Sequence, residues 1–286
     1  MTGAPLPAAS LFVPHGAPTF ALTPGAAGAA LGRLGRELAR PRAVVVVSPH
    51  WDTATPAIGG ALAPETIHDY GGFPRELYSL RYPATGNYCV ASEVRDRLDD
   101  AGIAAQIDLG RGLDHGAWVP LRFLYPDADV PVVPLSVQSR LGPTHHLALG
   151  RALAPLTADG VLVVASGNLT HNLGDFMRSL QGAPPPAYVQ QFPDWIANHL
   201  ATGDIDELLD YRRRAPGATA AHPSDEHLLP LFVAIGAAAG ESGAASASAE
   251  YRGIADAVLA MDLYRFTPAS AAQARVPHPL PERKTA

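Results

Sequence analysis

Apolar runs that end in a histidine recur along this chain. Four consecutive valines, 44–47, lie between Pro41 and Pro49, and His50 follows them directly. An unbroken β-branched run of this kind predicts a strand buried on both faces inside an α/β sheet. Ligands bind at strand ends in open α/β sheets, so His50 is a candidate site residue. The alternative is a histidine that caps the strand and hydrogen-bonds to a neighbouring loop.

A second apolar run has the same ending. Residues 10–13 form a predicted strand that leads into His15, and between the two strands the segment 26–40 carries leucines at helical spacing. This order predicts a β-α-β unit with neighbouring parallel strands. Both histidines are therefore expected at the same edge of one sheet.

The rest of the chain continues to alternate between helical and extended patterns. Helices are predicted at 87–101, 147–156, 187–200 and 205–211, and further strands at 104–107, 130–137, 161–165 and 258–266. Segment 53–86 has the composition of a long binding loop, and 240–249 that of a small-residue loop. We expect an α/β fold with a central, mostly parallel or mixed sheet flanked by helices. Residues 1–267 are predicted to form a single catalytic domain, followed by a disordered tail, 268–286.

Composition narrows the class of protein. The net charge of −6 disfavours a nucleic-acid partner, which would need clustered lysine and arginine. The single cysteine, Cys89, excludes an intramolecular disulfide framework and a multi-cysteine zinc site. The N-terminal segment lacks the pattern of a signal peptide, and no stretch reaches the roughly 18 apolar residues of a membrane span. A cytoplasmic protein without a membrane or nucleic-acid partner is the expectation, with its oligomeric state open.

Four histidines share a structural context. Three of them follow predicted strands, and His227 lies just before Pro230, where a helix is expected to begin; the four are His15, His50, His171 and His227. Because strand ends of one sheet converge, these imidazoles are expected to meet. The remaining placements suggest solvated side chains for His145, His146, His199, His222 and His278.

Convergent imidazoles without cysteine suit zinc, iron, copper or nickel. A zinc hydrolase would use three protein ligands and a water, whereas a non-haem iron oxygenase uses two histidines and a carboxylate with open positions. Glu226 stands beside His227 and leaves both ligand types available. Spacing alone does not choose between these metals and chemistries.

Six motifs, in order, carry a family resemblance: VPHGAPTF, VVVVSPHW, TIHDYGGFP, LDHGAWVPL, ASGNLTHNL and PSDEHLLPL. Together they resemble the class III extradiol ring-cleavage dioxygenases of the LigB-like superfamily, and most of all the 4,5-DOPA extradiol dioxygenase branch. The similarity extends from about Leu11 to Phe266, and it implies the fold of that superfamily.

The resemblance implies a metal held by His15, His50 and His227. Glu226 is the second choice for the third ligand, because distant members of the superfamily use a glutamate there. His171 is assigned first as the catalytic base and second as a fourth ligand.

His115, in the DHG motif, is implied to be an acid or an oxygen-site residue, and the alternative is a loop histidine fixed by Asp114. His68 would either orient the substrate or hold its own loop. The implied reaction uses non-haem Fe(II) to insert O2 into a catechol-type aromatic and gives an open-chain semialdehyde, while the isolated protein could carry Zn(II). The rival interpretations are a zinc-dependent hydrolase that uses the same histidines and a non-enzymatic metal-binding module.

Overall fold

A mixed sheet flanked by helices forms the centre of the computed structural model, which describes residues 10–240, 243–269 and 284–285. Its strands are β1 (Ser10–Val13), β2 (Ala43–Asp52), β3 (Ala57–Gly59), β4 (Gln106–Asp108), β5 (Val132–Val137), β6 (Val161–Ser166), β7 (Ala245–Tyr251) and, beyond two shorter strands, β10 (Leu263–Pro268). They lie in the order β4-β3-β5-β2-β6-β1-β10-β7. The four strands β5, β2, β6 and β1 are parallel, whereas β10 and β7 are antiparallel additions at one side. The expected α/β class with a mixed sheet is confirmed.

Helices cover both faces of this sheet. They are α1 (Gly25–Glu37), α2 (Tyr88–Asp100), α3 (His115–Leu124), α4 (Gly142–Ala158), α5 (Leu173–Ser179), α6 (Tyr188–Thr202), α7 (Ile205–Leu209), α8 (Tyr211–Arg214), α9 (Ala218–Ala221) and α10 (Leu229–Ala239). Short 3₁₀ helices lie at Pro18–Ala21, Arg75–Ser79 and Ser139–Leu141. In the described part of the chain, no helix is both long and apolar enough to cross a membrane.

The four valines of β2 pack into the hydrophobic cores on both faces of the sheet. Val44 and Val46 pack into the hydrophobic cluster on one face of the sheet, and Val45 and Val47 pack into the cluster on the other. Successive side chains of a strand point to opposite faces, so an unbroken apolar run suits a strand covered on both sides. The predicted double burial is confirmed, and it fixes the strand that carries His50.

The predicted adjacency of β1 and β2 is wrong, because β6 lies between them and pairs in parallel with both. The chain connection dictates parallel direction but not adjacency, since a later strand can insert between the two. All three strands still end at the same edge of the sheet. The expectation that His15 and His50 share one edge therefore holds.

Two predictions near the C-terminus need correction, whereas the predicted disorder of the tail stays a prediction. The loop predicted at 240–249 contains most of β7, whose alanines and serines pair with β10 despite their low strand propensity. The strand predicted at 258–266 is divided into β9 (Leu259–Ala260) and β10, and β9 pairs with β8 (Gly253–Ala255). Of the predicted tail, Pro268 belongs to β10 and β11 (Lys284–Thr285) pairs with β8. Most of that tail lies outside the described residues.

His146, expected in solvent, is completely buried in α4. Its Nε2 accepts a hydrogen bond from the backbone N–H of Gln138 at 3.1 Å, and its Nδ1–H donates to the carbonyl of Gly142 at 2.7 Å. Both nitrogens are satisfied only when the ring is neutral. Burial, the main cause, lowers the pKa of His146 to about 4.

This arrangement predicts a loss of stability in acid. An unfolded histidine has a pKa of about 6.5, so between that pH and about pH 4 the unfolded chain binds a proton that folded His146 does not, and stability falls as pH falls. We expect His146 to contribute a loss of roughly 3 kcal/mol over that window. Urea unfolding at pH 7 and pH 4.5 should show a smaller acid loss for His146→Gln than for wild type. An equal loss in both proteins would contradict the prediction. His145→Gln is the matched control and should reduce the acid loss less than His146→Gln, because the His145 ring is only half-buried.

Candidate metal centre

His15, His50 and His227 meet at the end of the parallel strands. His15 lies two residues after β1, His50 lies near the end of β2, and His227 lies two residues before α10. One nitrogen from each ring lies within 4.8 Å of the other two, and the Nε2 atoms of His15 and His50 are 3.2 Å apart. The predicted convergence of these three imidazoles is therefore present in the fold.

Oxygen atoms lie beside the second nitrogen, Nδ1, of each ring. The pairs are Ser166 Oγ with His15 at 2.9 Å, Asp69 Oδ2 with His50 at 3.3 Å, and Glu226 Oε1 with His227 at 3.0 Å. Histidines that bind metals almost always have their other ring nitrogen held in this way. The arrangement leaves the Nε2 atoms for a cation.

His227 gives the clearest sign that a cation fits here. Its Nε2 is buried and has no hydrogen-bond partner among the described residues. Burial, with smaller effects from neighbouring histidines, lowers the pKa of His15 and His227 well below the usual value and that of His50 to about 3. The rings are therefore neutral at pH 7, which is the form that binds metal ions. A donor set of three neutral imidazoles suits a transition-metal cation.

His171 reaches the cluster from the loop after β6. Its ring stacks on that of His227, with centroids 3.4 Å apart and planes inclined by 6°. Burial first, and then the neighbouring His50 and His115, lower its pKa to about 4. One nitrogen of its ring lies within 4.8 Å of ligand atoms of Glu226 and His227, whereas His171 is not in the group that His15, His50 and His227 form. His171 thus lies beside the three-histidine group as a neutral ring that can accept a proton.

His222 holds the loop that carries His171, although the sequence suggested a solvated residue. It is fully buried, and its Nε2 lies 2.9 Å from the carbonyl oxygen of Leu169. Next to it, the carbonyl of Ala221 accepts the backbone N–H of His171 at 2.8 Å. No helical or strand periodicity marks His222 as buried, because its contacts come from a loop that is distant in sequence.

His115 begins α3 and lies beside the cluster, with its ring centroid 4.0 Å from that of His50. Asp114 caps the helix and accepts a hydrogen bond from Ser48 Oγ at 2.6 Å, so it does not hold the His115 ring. The ring partner is Asp69, whose Oδ2 lies 2.9 Å from His115 Nδ1. The alternative in which Asp114 fixes His115 is wrong.

Asp69 was missed as a functional candidate. It lies in the long loop between β3 and α2, and its place beside His68 in the motif TIHDYGGFP was the available signal. Burial opposes its ionisation, but hydrogen bonds from His115 and electrostatic interactions with His115 and His50 outweigh burial and lower the pKa of Asp69 to about 2. Asp69 is therefore a carboxylate at neutral pH.

His68 does not enter the cluster. Its Nε2 lies 3.0 Å from the carbonyl oxygen of Leu80, and Arg81 Nη1 lies 3.3 Å away. These contacts favour the alternative in which His68 holds its own loop. Tyr70, from the same loop, comes closer to the site, with its ring centroid 5.5 Å from that of His115.

Comparison with known proteins identifies the family. Residues 29–260 match the protein family described as the catalytic LigB subunit of aromatic ring-opening dioxygenase. The chain belongs to this family. The resemblance drawn from the six motifs is thereby confirmed, and the LigB-family chain described here is a ring-opening dioxygenase.

Individual relatives of this LigB-family chain agree over most of its length. It is 38% identical over 262 residues to the 4,5-DOPA dioxygenase extradiol of Beta vulgaris, covering 90% of this chain and 96% of the relative. It is 38% identical over 232 residues to the 4,5-DOPA dioxygenase extradiol of Escherichia coli K12, covering 80% and 84%. A crystal structure of an uncharacterized protein from the same bacterium superposes with a TM-score of 0.73 at 31% identity, covering 89% and 98%.

Proposed function

We propose that this LigB-family protein is an Fe(II)-dependent extradiol dioxygenase that opens a catechol-type ring. The observation that carries the proposal is the convergence of three neutral imidazoles, each with an oxygen atom beside its Nδ1 and one ring nitrogen within 4.8 Å of a nitrogen of the other two. In the proposed reaction the bond between a hydroxyl-bearing carbon and its neighbour breaks. Both atoms of O2 enter the semialdehyde product, so no external reductant is needed.

His15, His50 and His227 would hold the metal. Bound there, Fe(II) would supply Lewis acidity toward the catechol oxygens and redox chemistry toward O2. Three protein ligands leave coordination positions for both substrates. Glu226 is given the role of a partner that orients His227, because its oxygen lies 3.0 Å from Nδ1 of that ring. The isolated protein is proposed to accept Zn(II) at the same nitrogens.

The chain's own proton transfers are assigned to two other histidines. His171, buried and neutral, would accept the proton of a catechol hydroxyl, as a general base must at neutral pH. His115, beside His50 and backed by Asp69, would take up the proton of the second hydroxyl and return it to the opening ring. The long loop that carries Asp69 and Tyr70 contacts His115 and would limit the entry of water there.

The substrate class follows from the relatives. Those named 4,5-DOPA dioxygenase extradiol cover most of this chain, which supports a DOPA-like or related catechol as the ring that is opened. A small-molecule catechol and O2 are accordingly the proposed partners. Location in the cytoplasm stays a prediction from the sequence.

The test is anaerobic reconstitution of the apoprotein with Fe(II) or with Zn(II). Each form receives a panel of DOPA, caffeate, simple catechols and an aminophenol, and air-saturated buffer is then added. We expect the Fe(II) form to take up one O2 per substrate and to form a yellow ring-opened product, because only a redox-active metal can use dioxygen here. An oxygen electrode and visible absorbance measure the two signals.

The Zn(II) form tests the main alternative, a zinc-dependent hydrolase. Absence of oxygen uptake over the whole panel, together with hydrolysis of an ester or amide by the Zn(II) form, would replace the proposal with a zinc-dependent hydrolase. Absence of both activities, with metal still bound, would leave a non-enzymatic metal-binding module.

A further inference from the structure

The carboxylate of Asp69 contacts two rings of the histidine cluster at once. Its Oδ2 lies 2.9 Å from Nδ1 of His115 and 3.3 Å from Nδ1 of His50. Its Oδ1 accepts the backbone N–H of His115 at 2.9 Å, which fixes the carboxylate against the first turn of α3. One side chain therefore joins a proposed metal ligand to a proposed proton donor.

The chemistry of a carboxylate restricts where the two rings carry their protons. An ionised carboxylate only accepts hydrogen bonds, so a ring nitrogen beside it is favoured when it bears a proton. Asp69 lies beside two ring nitrogens and also accepts a backbone N–H, and this surrounding of donors favours its carboxylate form. A neutral ring with its proton on Nδ1 has a free lone pair on Nε2. For His50 that lone pair lies 3.2 Å from Nε2 of His15.

We propose that Asp69 is a positioning residue that keeps the proton of both His50 and His115 on Nδ1. This leaves Nε2 of His50 unprotonated for the metal and Nε2 of His115 as the atom that exchanges a proton with the substrate. The role in turnover rests on the proposed function, whereas the effect on the two rings does not. A purely structural alternative is that Asp69 only anchors its loop to α3.

Asp69→Asn tests the proposal, because an amide both donates and accepts and no longer selects one form of the ring. We expect the affinity of the apoprotein for Co(II), measured by competition with a chelator, to fall about 10–100-fold, as for other groups that orient a metal ligand. In ¹⁵N spectra of histidine-labelled apoprotein, two rings should change from the Nδ1–H form to a mixture. With Fe(II) and a catechol, kcat should fall more than KM changes. Asp69→Glu, which keeps the carboxylate, should recover part of each loss.

Thr66→Val is the matched control for loop anchoring. It removes the hydroxyl that accepts the backbone N–H of Tyr82 at 2.9 Å, and so loosens the same loop without touching a histidine. We expect its Co(II) affinity and its histidine spectra to match wild type. The proposal is overturned if Thr66→Val reproduces the losses of Asp69→Asn. It is equally overturned if Asp69→Asn, folded as judged by thermal unfolding, leaves Co(II) affinity and ring forms unchanged.

These readouts separate this proposal from the proposed function, since Co(II) binding and the histidine spectra require no turnover. If the wild-type protein opened no catechol ring, the proposed function would be contradicted. If Asp69→Asn still weakened Co(II) binding and changed the two rings, the positioning role would stand.

Discussion

Replacing His227 with alanine is expected to lower metal affinity by more than about 100-fold, beyond the 10–100-fold typical for the loss of an outer partner, and to abolish oxygen uptake with a catechol. The reason is that Nε2 of His227 is buried without a partner among the described residues, and that one nitrogen of this ring lies within 4.8 Å of nitrogens of His15 and His50. Removing it takes away one of three donors. Chelator competition with Co(II) and Fe(II), followed by oxygen-electrode assays, measures both effects.

Two further substitutions make this result specific. Glu226→Gln should lower the affinity for the metal by only about 10-fold, since Glu226 is proposed to orient the ring of His227 and not to bind the metal itself. His199→Ala, on α6 and outside the cluster, should leave metal binding as in wild type. If His227→Ala bound the metal with full affinity, the assignment of His227 as a ligand would be contradicted. If Glu226→Gln lost as much affinity as His227→Ala, the orienting role of Glu226 would be contradicted.

Replacing His171 with alanine is expected to reduce kcat by about 10²–10⁴ while leaving metal affinity close to wild type. The ring stacks on His227 at 3.4 Å but groups apart from His15 and His50, which suits a base beside the metal rather than a ligand. The ring is neutral at pH 7 and so offers a lone pair to a proton, while burial, which lowers its pKa to about 4, favours rapid release of that proton afterwards. Steady-state oxygen uptake at saturating catechol, combined with the same Co(II) titration, separates the two roles.

The opposite pattern would reassign His171. A fall in Co(II) affinity similar to that of His227→Ala would make it a fourth ligand, as the second assignment from the family resemblance has it. An unchanged kcat with unchanged affinity would remove it from the chemistry altogether. His146→Gln, buried in α4 and remote in sequence from the motifs, is a control for the general effect of losing a buried histidine.

Local physical chemistry explains which parts of the fold could be predicted. The four valines of β2 predicted a doubly buried strand because strand side chains alternate between faces, and Asn87 predicted the start of α2, where its side chain accepts the backbone N–H of Val90. Pro230 likewise predicted that α10 begins after His227. By contrast, β7 depends on the open edge of β10, and the position of β6 between β1 and β2 depends on the whole sheet. Strand pairing of this kind cannot be predicted from the local pattern of apolar and polar residues.

The same division applies to the site. The sequence by itself determined that His15, His50, His171 and His227 belong together, since parallel strands bring their ends to one edge and a proline marks the start of the last helix. Only the tertiary structure decided which oxygen lies beside each ring, that Asp69 rather than Asp114 contacts His115, and that His146 and His222 are buried. The periodicity of a strand or helix tells on which face of that element a side chain lies. The partner of a ring is a contact between residues far apart in the chain, and it exists only once the loops have folded over the sheet.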